Sequence, residues 1–201
     1  MPFNLIITGV GGQGNVIASQ IVGRAALNKG FRVTIGETFG LSQRGGPVMS
    51  HIRLSRDHNY GPLIPPNKAH IIVGLEPLET IRILLGYGNE KTVFLVNSRP
   101  IYPLNVIAGD VQYPGLEKIR NVLERFGESL YWLDATQKAL DLGGPILLNM
   151  IMLGALCGLT RFPLDMADFR EALKEVFHES KWELNYRALD IGMDLISSHE
   201  N

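Results

Sequence analysis

Cysteine is nearly absent from this sequence, since its 201 residues include only Cys157. A single thiol excludes an internal disulfide, and it also excludes an iron–sulfur cluster or a cysteine-rich zinc site held by this chain alone. A basic excess is lacking too, because 19 Lys and Arg stand against 20 Asp and Glu for a net charge of −1. Proteins that neutralise nucleic-acid phosphates usually carry such an excess, so we expect no nucleic-acid partner.

The sequence also lacks an apolar run that could span a membrane. Its most apolar stretch, residues 146–159, is shorter than the roughly 20 residues that a bilayer requires. The first residues lack the basic region and small-residue cleavage site of a secretory signal. We therefore expect a cytoplasmic protein with no membrane partner.

The length and the hydropathy pattern predict one α/β domain. Apolar residues make up 45% of the chain and charged residues 19%, which is enough for a sizeable core. Short β-branched runs predict strands at residues 3–8, 31–37, 48–54, 71–74, 91–96, 106–111 and 130–133. Helical periodicity lies between them at residues 15–29, 76–85 and 116–126.

This alternation predicts a Rossmann-like three-layer sandwich with a mostly parallel sheet, in which the first two strands form a βαβ unit. Helices alone are predicted after residue 144, at residues 145–159, 166–179 and 182–196. The prediction is therefore a single domain over residues 1–201. Residues 1–144 form its sheet core and residues 145–201 its helical C-terminal part.

A glycine-rich motif follows the first predicted strand and opens the first helix. The sequence Gly9-Val10-Gly11-Gly12-Gln13-Gly14 matches G-x-G-x-x-G. In such a loop the glycines allow a tight turn and let a phosphate approach the backbone, where free amides at the helix N-terminus face the anion. The motif therefore predicts a loop that can hold a phosphate-bearing ligand.

Two readings of this motif remain open. Glu37, at the end of the second strand, occupies the position of the acid that binds ribose in dinucleotide-binding folds. The glycines are also consistent with a tight turn that binds nothing. A second glycine-rich loop directly after Glu37 would crowd an adenosine, which argues against a dinucleotide.

That second loop, residues 40–46 (GLSQRGG), presents one cation among small residues. Two glycines leave the Arg44 guanidinium unobstructed and let the backbone approach a partner. Ser42 and Gln43 add neutral hydrogen-bonding groups. The loop therefore suits a phosphate, a carboxylate or the backbone of a partner, with a solvated surface turn as the alternative.

Other polar residues in apolar segments are expected to be structural. His51 and His70 have no second His, Cys or carboxylate at metal-ligand spacing, so we predict no metal site. Asn149 lies on a very apolar helix and must find a hydrogen bond when buried, either by capping a loop or by meeting a partner.

Several segments together are similar to a known family: GVGGQGNVIASQIVGRAAL, GETFGLSQRGGPVMSHIRLS, NMIMLGAL and NYRALDIG. They resemble the gamma-type domain of the 2-oxoacid:ferredoxin oxidoreductases, most closely the small (beta) subunit of the indolepyruvate branch, over nearly the whole chain. Pyruvate and 2-oxoglutarate members usually carry an acidic, tyrosine-containing second loop (SYGxExRGG). This chain reads TFGLSQRGG there, which favours the arylpyruvate branch.

The resemblance implies a subunit that is inactive alone and has no catalytic residues of its own. The whole enzyme would decarboxylate a 2-oxo acid oxidatively to an acyl-CoA and CO2 and pass electrons to ferredoxin. Thiamine diphosphate, Mg and [4Fe-4S] clusters would reside in a large partner subunit. Coenzyme A would bind at a site shared with this chain, through the two glycine loops. By position the resemblance points to Gly11, Gly12, Gln13 and Gly14 in the first loop and to Ser42, Gln43, Arg44, Gly45 and Gly46 in the second.

Two other functions stay open at this point: a stand-alone NAD(P)-binding oxidoreductase and a ligand-free scaffold subunit. We also expect the isolated chain to be capable of forming a homodimer.

Overall fold

The computed structural model describes residues 1–39 and 46–198, which form a six-stranded sheet with helices on both faces. The strands are β1 (Phe3–Val10), β2 (Arg32–Phe39), β3 (Pro47–Ser55), β4 (Ile71–Gly74), β5 (Val93–Asn97) and β6 (Ser129–Leu133). The helices are α1 (Asn15–Asn28), α2 (Pro77–Tyr87), α3 (Leu104–Ile107), α4 (Leu116–Phe126), α5 (Ala135–Leu142), α6 (Leu148–Gly158), α7 (Met166–Val176) and α8 (Trp182–Ser197).

The strand order is β2-β3-β1-β4-β5-β6, and β1, β4, β5 and β6 pair in parallel. β3 runs antiparallel to both of its neighbours, β1 and β2. The predicted Rossmann-like sandwich with a mostly parallel sheet is confirmed.

The predicted βαβ unit is wrong in its pairing. β1 and β2 run in the same direction, but β3 lies between them and pairs with both. The direction of β3 follows from the length of the connection after β2, since only seven residues separate Phe39 from Pro47. A parallel crossover needs a dozen or more residues, so the next strand must return antiparallel.

Alternating side chains of the strands supply two cores. On β1, Leu5 and Ile7 face a cluster that includes residues of α1, α5, α6, α7 and α8, whereas Ile6 faces a cluster with α2 and α4. Because the C-terminal helices share a core with the sheet, this packing supports the predicted single domain, which remains a prediction.

The periodicity of the sequence predicted one strand that does not form and did not predict one helix that does. Residues 106–111 do not form a strand; the short helix α3 lies at the start of this stretch, and β6 takes the place beside β5. The missed helix, α5, begins after Asp134, whose side chain accepts a hydrogen bond from the Gln137 amide at 3.3 Å. That D-x-x-Q pattern is a capping signal which the sequence contained.

α6 and α8 approach each other unusually closely. A Cβ on Gly154 would lie 1.9 Å from the Leu189 carbonyl oxygen, and one on Gly192 would lie 1.9 Å from that of Ile151. The two helices therefore touch backbone to backbone. Among the described residues, none of the helices has the length and apolarity needed to cross a membrane.

Candidate functional site

The glycine loop lies at the point where the sheet changes its winding direction. From β1 the chain continues through α1 on one face, and from β4 through α2 on the other. The carboxyl ends of β1 and β4 are neighbours, and the helices that follow them diverge. In open α/β sheets ligands bind in the crevice at such a switch point.

Two glycines of the loop adopt backbone conformations that other residues avoid. Gly12 has φ +102° and Gly14 has φ +83°. A Cβ on Gly14 would lie 2.3 Å from Asn149 Nδ2, whereas a Cβ on Gly12 would have no atom of residues 1–39 or 46–198 within 4 Å. Gly14 is thus required for packing, and Gly12 faces open space among the described residues.

The start of α1 has backbone amides suited to an anion. Gly14 is its N-cap, no side chain in the described part of the chain caps it, and its first turn has no acidic residue. The first amides of a helix have no partner within the helix and carry partial positive charge. Together with the open face of Gly12, they can receive a phosphate group.

Gln13 has a different role from the predicted ligand contact. Its Oε1 accepts a hydrogen bond from the Val10 amide and its Nε2 donates to the Leu75 carbonyl, both at 2.8 Å. A Cβ on Gly9 would lie 2.5 Å from Gln13 Oε1, so that glycine makes room for the side chain. Gln13 therefore fixes the loop to the end of β4.

The two glycine-rich loops meet at their ends. The Gly11 amide donates to the carbonyl oxygen of Gly46, which is buried, at 2.9 Å. Ser42, Gln43, Arg44 and Gly45 lie outside the described residues, so their assignment to the site stays a prediction.

Asn149 acts on the first loop. Its Nδ2 donates to the Gly14 carbonyl oxygen at 3.3 Å, and its Oδ1 accepts from the Met150 amide at 2.9 Å. Of the two roles left open by the sequence, the structure supports loop capping. A helix of the C-terminal part thereby helps to position the glycine loop.

Two buried polar residues at the same edge were missed by the sequence analysis. Asn97 ends β5 and donates to the Leu75 carbonyl at 3.1 Å. Glu76 follows β4 and caps α2 by accepting from the Glu79 amide at 2.8 Å. Their position at or just after the carboxyl end of a predicted strand was the signal that could have found them.

Glu37 does not have the surroundings of a ribose-binding acid. Its carboxylate accepts a hydrogen bond from Ser19 Oγ on α1 at 2.9 Å. Because β3 separates β2 from β1, Glu37 lies two strand spacings from the glycine-loop strand, roughly 10 Å. This geometry does not support the dinucleotide hypothesis.

The two histidines have structural surroundings. His51 Nδ1 accepts from the Ile64 amide at 3.4 Å, and His70 Nδ1 accepts from the Asn4 amide at 2.9 Å. Burial lowers the pKa of both rings. Within residues 1–39 and 46–198, no group of three or more His, Cys, Asp or Glu could hold a metal ion. Burial also raises the pKa of the Cys157 thiol, which makes it a poor nucleophile.

The role of Gln13 can be tested by Gln13→Glu, which keeps the shape of the side chain. At pH 8 we expect the free energy of unfolding to fall by about 1–3 kcal/mol, because a carboxylate would face the Leu75 carbonyl without a donor. When protonated, the new carboxyl can donate again, so its pKa is raised in the folded state. The loss should therefore shrink as the pH falls through that raised pKa.

Urea unfolding at pH 8 and pH 5 measures both effects. Gln20→Glu, on the exposed side of α1, is the matched control and should change stability by less than about 0.5 kcal/mol. An equal loss in both variants would contradict the assigned role.

A glycine loop at the switch point of an α/β sheet is typical of the Rossmann-like class of domains. Within that class, residues 4–195 match the model of the pyruvate ferredoxin/flavodoxin oxidoreductase family, and the chain belongs to this family. The resemblance inferred from the sequence is confirmed.

Relatives agree over nearly the whole chain. Indolepyruvate oxidoreductase subunit IorB of Pyrococcus horikoshii is 35% identical over 192 residues, which cover 95% of this chain and 94% of the relative. Pyruvate synthase subunit PorC of Methanocaldococcus jannaschii is 26% identical over 189 residues, covering 91% and 90%.

Two solved structures have the same fold. The gamma subunit of a keto/oxoacid ferredoxin oxidoreductase from Geobacter sulfurreducens matches with a TM-score of 0.70 at 20% identity, covering 98% of this chain and 99% of that one. A chain of 2-oxoglutarate:ferredoxin oxidoreductase from Magnetococcus marinus, solved with 2-oxoglutarate, coenzyme A and succinyl-CoA bound, matches at 0.73 and 20% identity. That match covers 98% of this chain but 31% of the longer one.

Proposed function

We propose that this chain is the small subunit of a 2-oxoacid:ferredoxin oxidoreductase and that it binds part of coenzyme A between its two glycine loops. The observation that carries the proposal is the open face of Gly12 at the uncapped start of α1, joined to the second loop through the Gly11–Gly46 hydrogen bond. The enzyme would convert a 2-oxo acid and coenzyme A to an acyl-CoA and CO2, with ferredoxin as the electron acceptor.

Coenzyme A fits these loops chemically. It carries a diphosphate and a 3′-phosphate, which a helix N-terminus and an arginine can bind. The family relationship and the fold shared with an enzyme solved with coenzyme A bound support this ligand. Arg44 is the one cation in the two loops, so we place the remaining cations on a partner.

The redox cofactors do not fit this chain. Cys157 is its only cysteine, and burial raises the pKa of its thiol. We therefore place the [4Fe-4S] clusters on a larger partner subunit. The family relationship supports placing thiamine diphosphate and Mg there too, so that the partner supplies the decarboxylation and the electron transfer. This chain would orient coenzyme A and exclude water from the shared site.

An arylpyruvate, indolepyruvate above all, is the proposed substrate class. The identity to the indolepyruvate subunit is 35%, against 26% to the pyruvate synthase subunit, and both alignments cover more than nine-tenths of the chain. The second loop carries Ser42 and Gln43 and has no acidic residue, which supports the same branch. Rates of ferredoxin reduction by the purified complex with indolepyruvate and with pyruvate test it; a higher kcat/KM for pyruvate would contradict the assignment.

Replacing Arg44 tests the ligand. In the assembled enzyme, Arg44→Ala should raise the KM for coenzyme A by about 10- to 100-fold, which is the effect of losing a charged hydrogen bond to phosphate. The KM for the 2-oxo acid should stay unchanged. Arg120→Ala, on the exposed face of α4, is the control and should leave both constants unchanged.

The competing function, a ligand-free scaffold, makes the opposite prediction. If the Arg44→Ala complex assembles with an unchanged KM for coenzyme A, the second loop is not part of the coenzyme site.

A further inference from the structure

The segment between β5 and α4 exposes an unusual number of apolar side chains. We call residues 101–116 the apolar strap. Leu104 is 81% exposed and Ile107 70% exposed, and α3, which contains both, buries none of its residues. The other large apolar side chains exposed on the strap are Ile101, Tyr102, Val111 and Leu116.

Buried contacts hold the apolar strap in place. Glu76, which is 1% exposed, accepts a hydrogen bond from Tyr113 Oη at 2.6 Å and one from the Ile101 amide at 3.3 Å. The rings of Tyr102 and Tyr113 also meet edge to face, 5.2 Å apart. Both ends of the strap are thus attached to one buried carboxylate, and its apolar side chains are presented on a fixed surface.

That carboxylate places the apolar strap beside the glycine loop. Glu76 directly follows Leu75, whose carbonyl oxygen accepts hydrogen bonds from Gln13 and Asn97. The loop and the anchor of the strap are therefore joined through one residue at the carboxyl edge of the sheet. A molecule that covers the strap would therefore lie at the same edge of the sheet as the glycine loop.

The low charge and the exposed apolar area of the apolar strap are typical of the centre of an interface. Asp110 is the only Asp, Glu, Lys or Arg of the apolar strap, whereas α4 directly after it has five among eleven residues. The exposed apolar side chains offer about 500 Å², at roughly 150 Å² for each fully exposed large side chain. A stable interface buries about 800 Å² on each partner, with an apolar and charge-depleted centre.

We infer that the apolar strap is the surface on which the larger subunit docks, through a matching apolar, uncharged face. This inference rests on the proposed function, which counts Arg44 as the one cation of the two loops and places the remaining cations of the phosphate site on a partner. A second copy would bring another chain of net charge −1 to that site. The larger subunit is therefore the better occupant, and its docking closes the coenzyme site.

The test compares two exposed apolar positions. Leu104→Asp combined with Ile107→Asp introduces two charges on the strap, and Leu85→Asp introduces one on α2 at a leucine that is 80% exposed. The Kd between each variant and the purified larger subunit is measured by biolayer interferometry. We expect the double variant to raise the Kd at least 100-fold and Leu85→Asp to change it less than twofold, with melting temperatures within about 2 °C of wild type.

Each other outcome overturns the inference. If the double variant binds like wild type, or if both variants lose affinity equally, the strap is not the docking surface, although the proposed function stands. If sedimentation finds a wild-type dimer that the double variant dissolves while the larger subunit still binds, a second copy is the occupant. If the wild-type chain binds no larger subunit, the proposed function fails as well.

Discussion

Replacing Gly12 by alanine should raise the KM for coenzyme A at least tenfold in the assembled enzyme. The new methyl group would project from the loop into space where none of the described atoms lies within 4 Å, which is the space that we assign to a phosphate. Stability should suffer modestly, by about 1–2 kcal/mol, because an alanine at positive φ is strained. Steady-state kinetics with varied coenzyme A and urea unfolding measure the two effects.

Gly30 offers a matched control at the other end of α1. It also has a positive φ, +81°, and a Cβ there would likewise meet nothing within 4 Å. Gly30→Ala should therefore cost a similar free energy of unfolding without changing the KM for coenzyme A. If the two variants raise that KM equally, the effect of Gly12→Ala comes from strain and the loop is not a phosphate site.

The largest loss of stability is expected for Gly154→Ala, at the contact between α6 and α8. The new Cβ would lie 1.9 Å from the Leu189 carbonyl oxygen and 2.7 Å from its Cα, and backbone atoms cannot turn aside as a flexible side chain can. The two helices must separate, and we expect the free energy of unfolding to fall by about 3 kcal/mol or more. Thermal and urea unfolding of the isolated chain measure this loss.

Gly86→Ala should instead raise the free energy of unfolding. Gly86 lies in α2 with no positive φ, and a Cβ there would meet nothing within 4 Å. Alanine reduces the entropy of the unfolded chain and favours the helix, so stability should rise by about 0.4–1 kcal/mol. A Gly154→Ala variant as stable as wild type would contradict the close packing of α6 and α8.

The same helix contact also bears on the site. α6 carries Asn149, whose amide donates to the Gly14 carbonyl. A displacement of α6 therefore moves the residue that caps the glycine loop, and this coupling joins the C-terminal helices to the site in the sheet.

Periodicity predicted most elements because their apolar residues face a core. The observed ends of α4 are the predicted ones. The observed ends of β3 and α8 differ from the predicted ends by at most one residue. The prediction failed at residues 106–111, where Val106 and Ile107 suggested a strand. Ile107 remains 70% exposed, so its apolar character does not report packing within this chain.

At the site, the sequence could indicate where the glycine loop lies but not which groups its side chains contact. The G-x-G-x-x-G pattern after a strand correctly located the loop at the carboxyl end of β1. Gln13 was grouped with the ligand-contacting residues, yet its side chain bonds to the Val10 and Leu75 backbone. A hydrogen bond between residues 62 positions apart leaves no periodic trace in a sequence.

The sequence by itself determined the fold class, the place of the first glycine loop and membership of the family, because strand and helix periods and a glycine-rich turn are local properties of a chain. Only the tertiary structure decided that β3 lies between β1 and β2, that Asn149 reaches Gly14, and that Glu76 holds the apolar strap beside the loop. These features depend on which distant segments pack together. That packing is set by the burial of apolar surface across the whole folded chain, which no local stretch of sequence specifies.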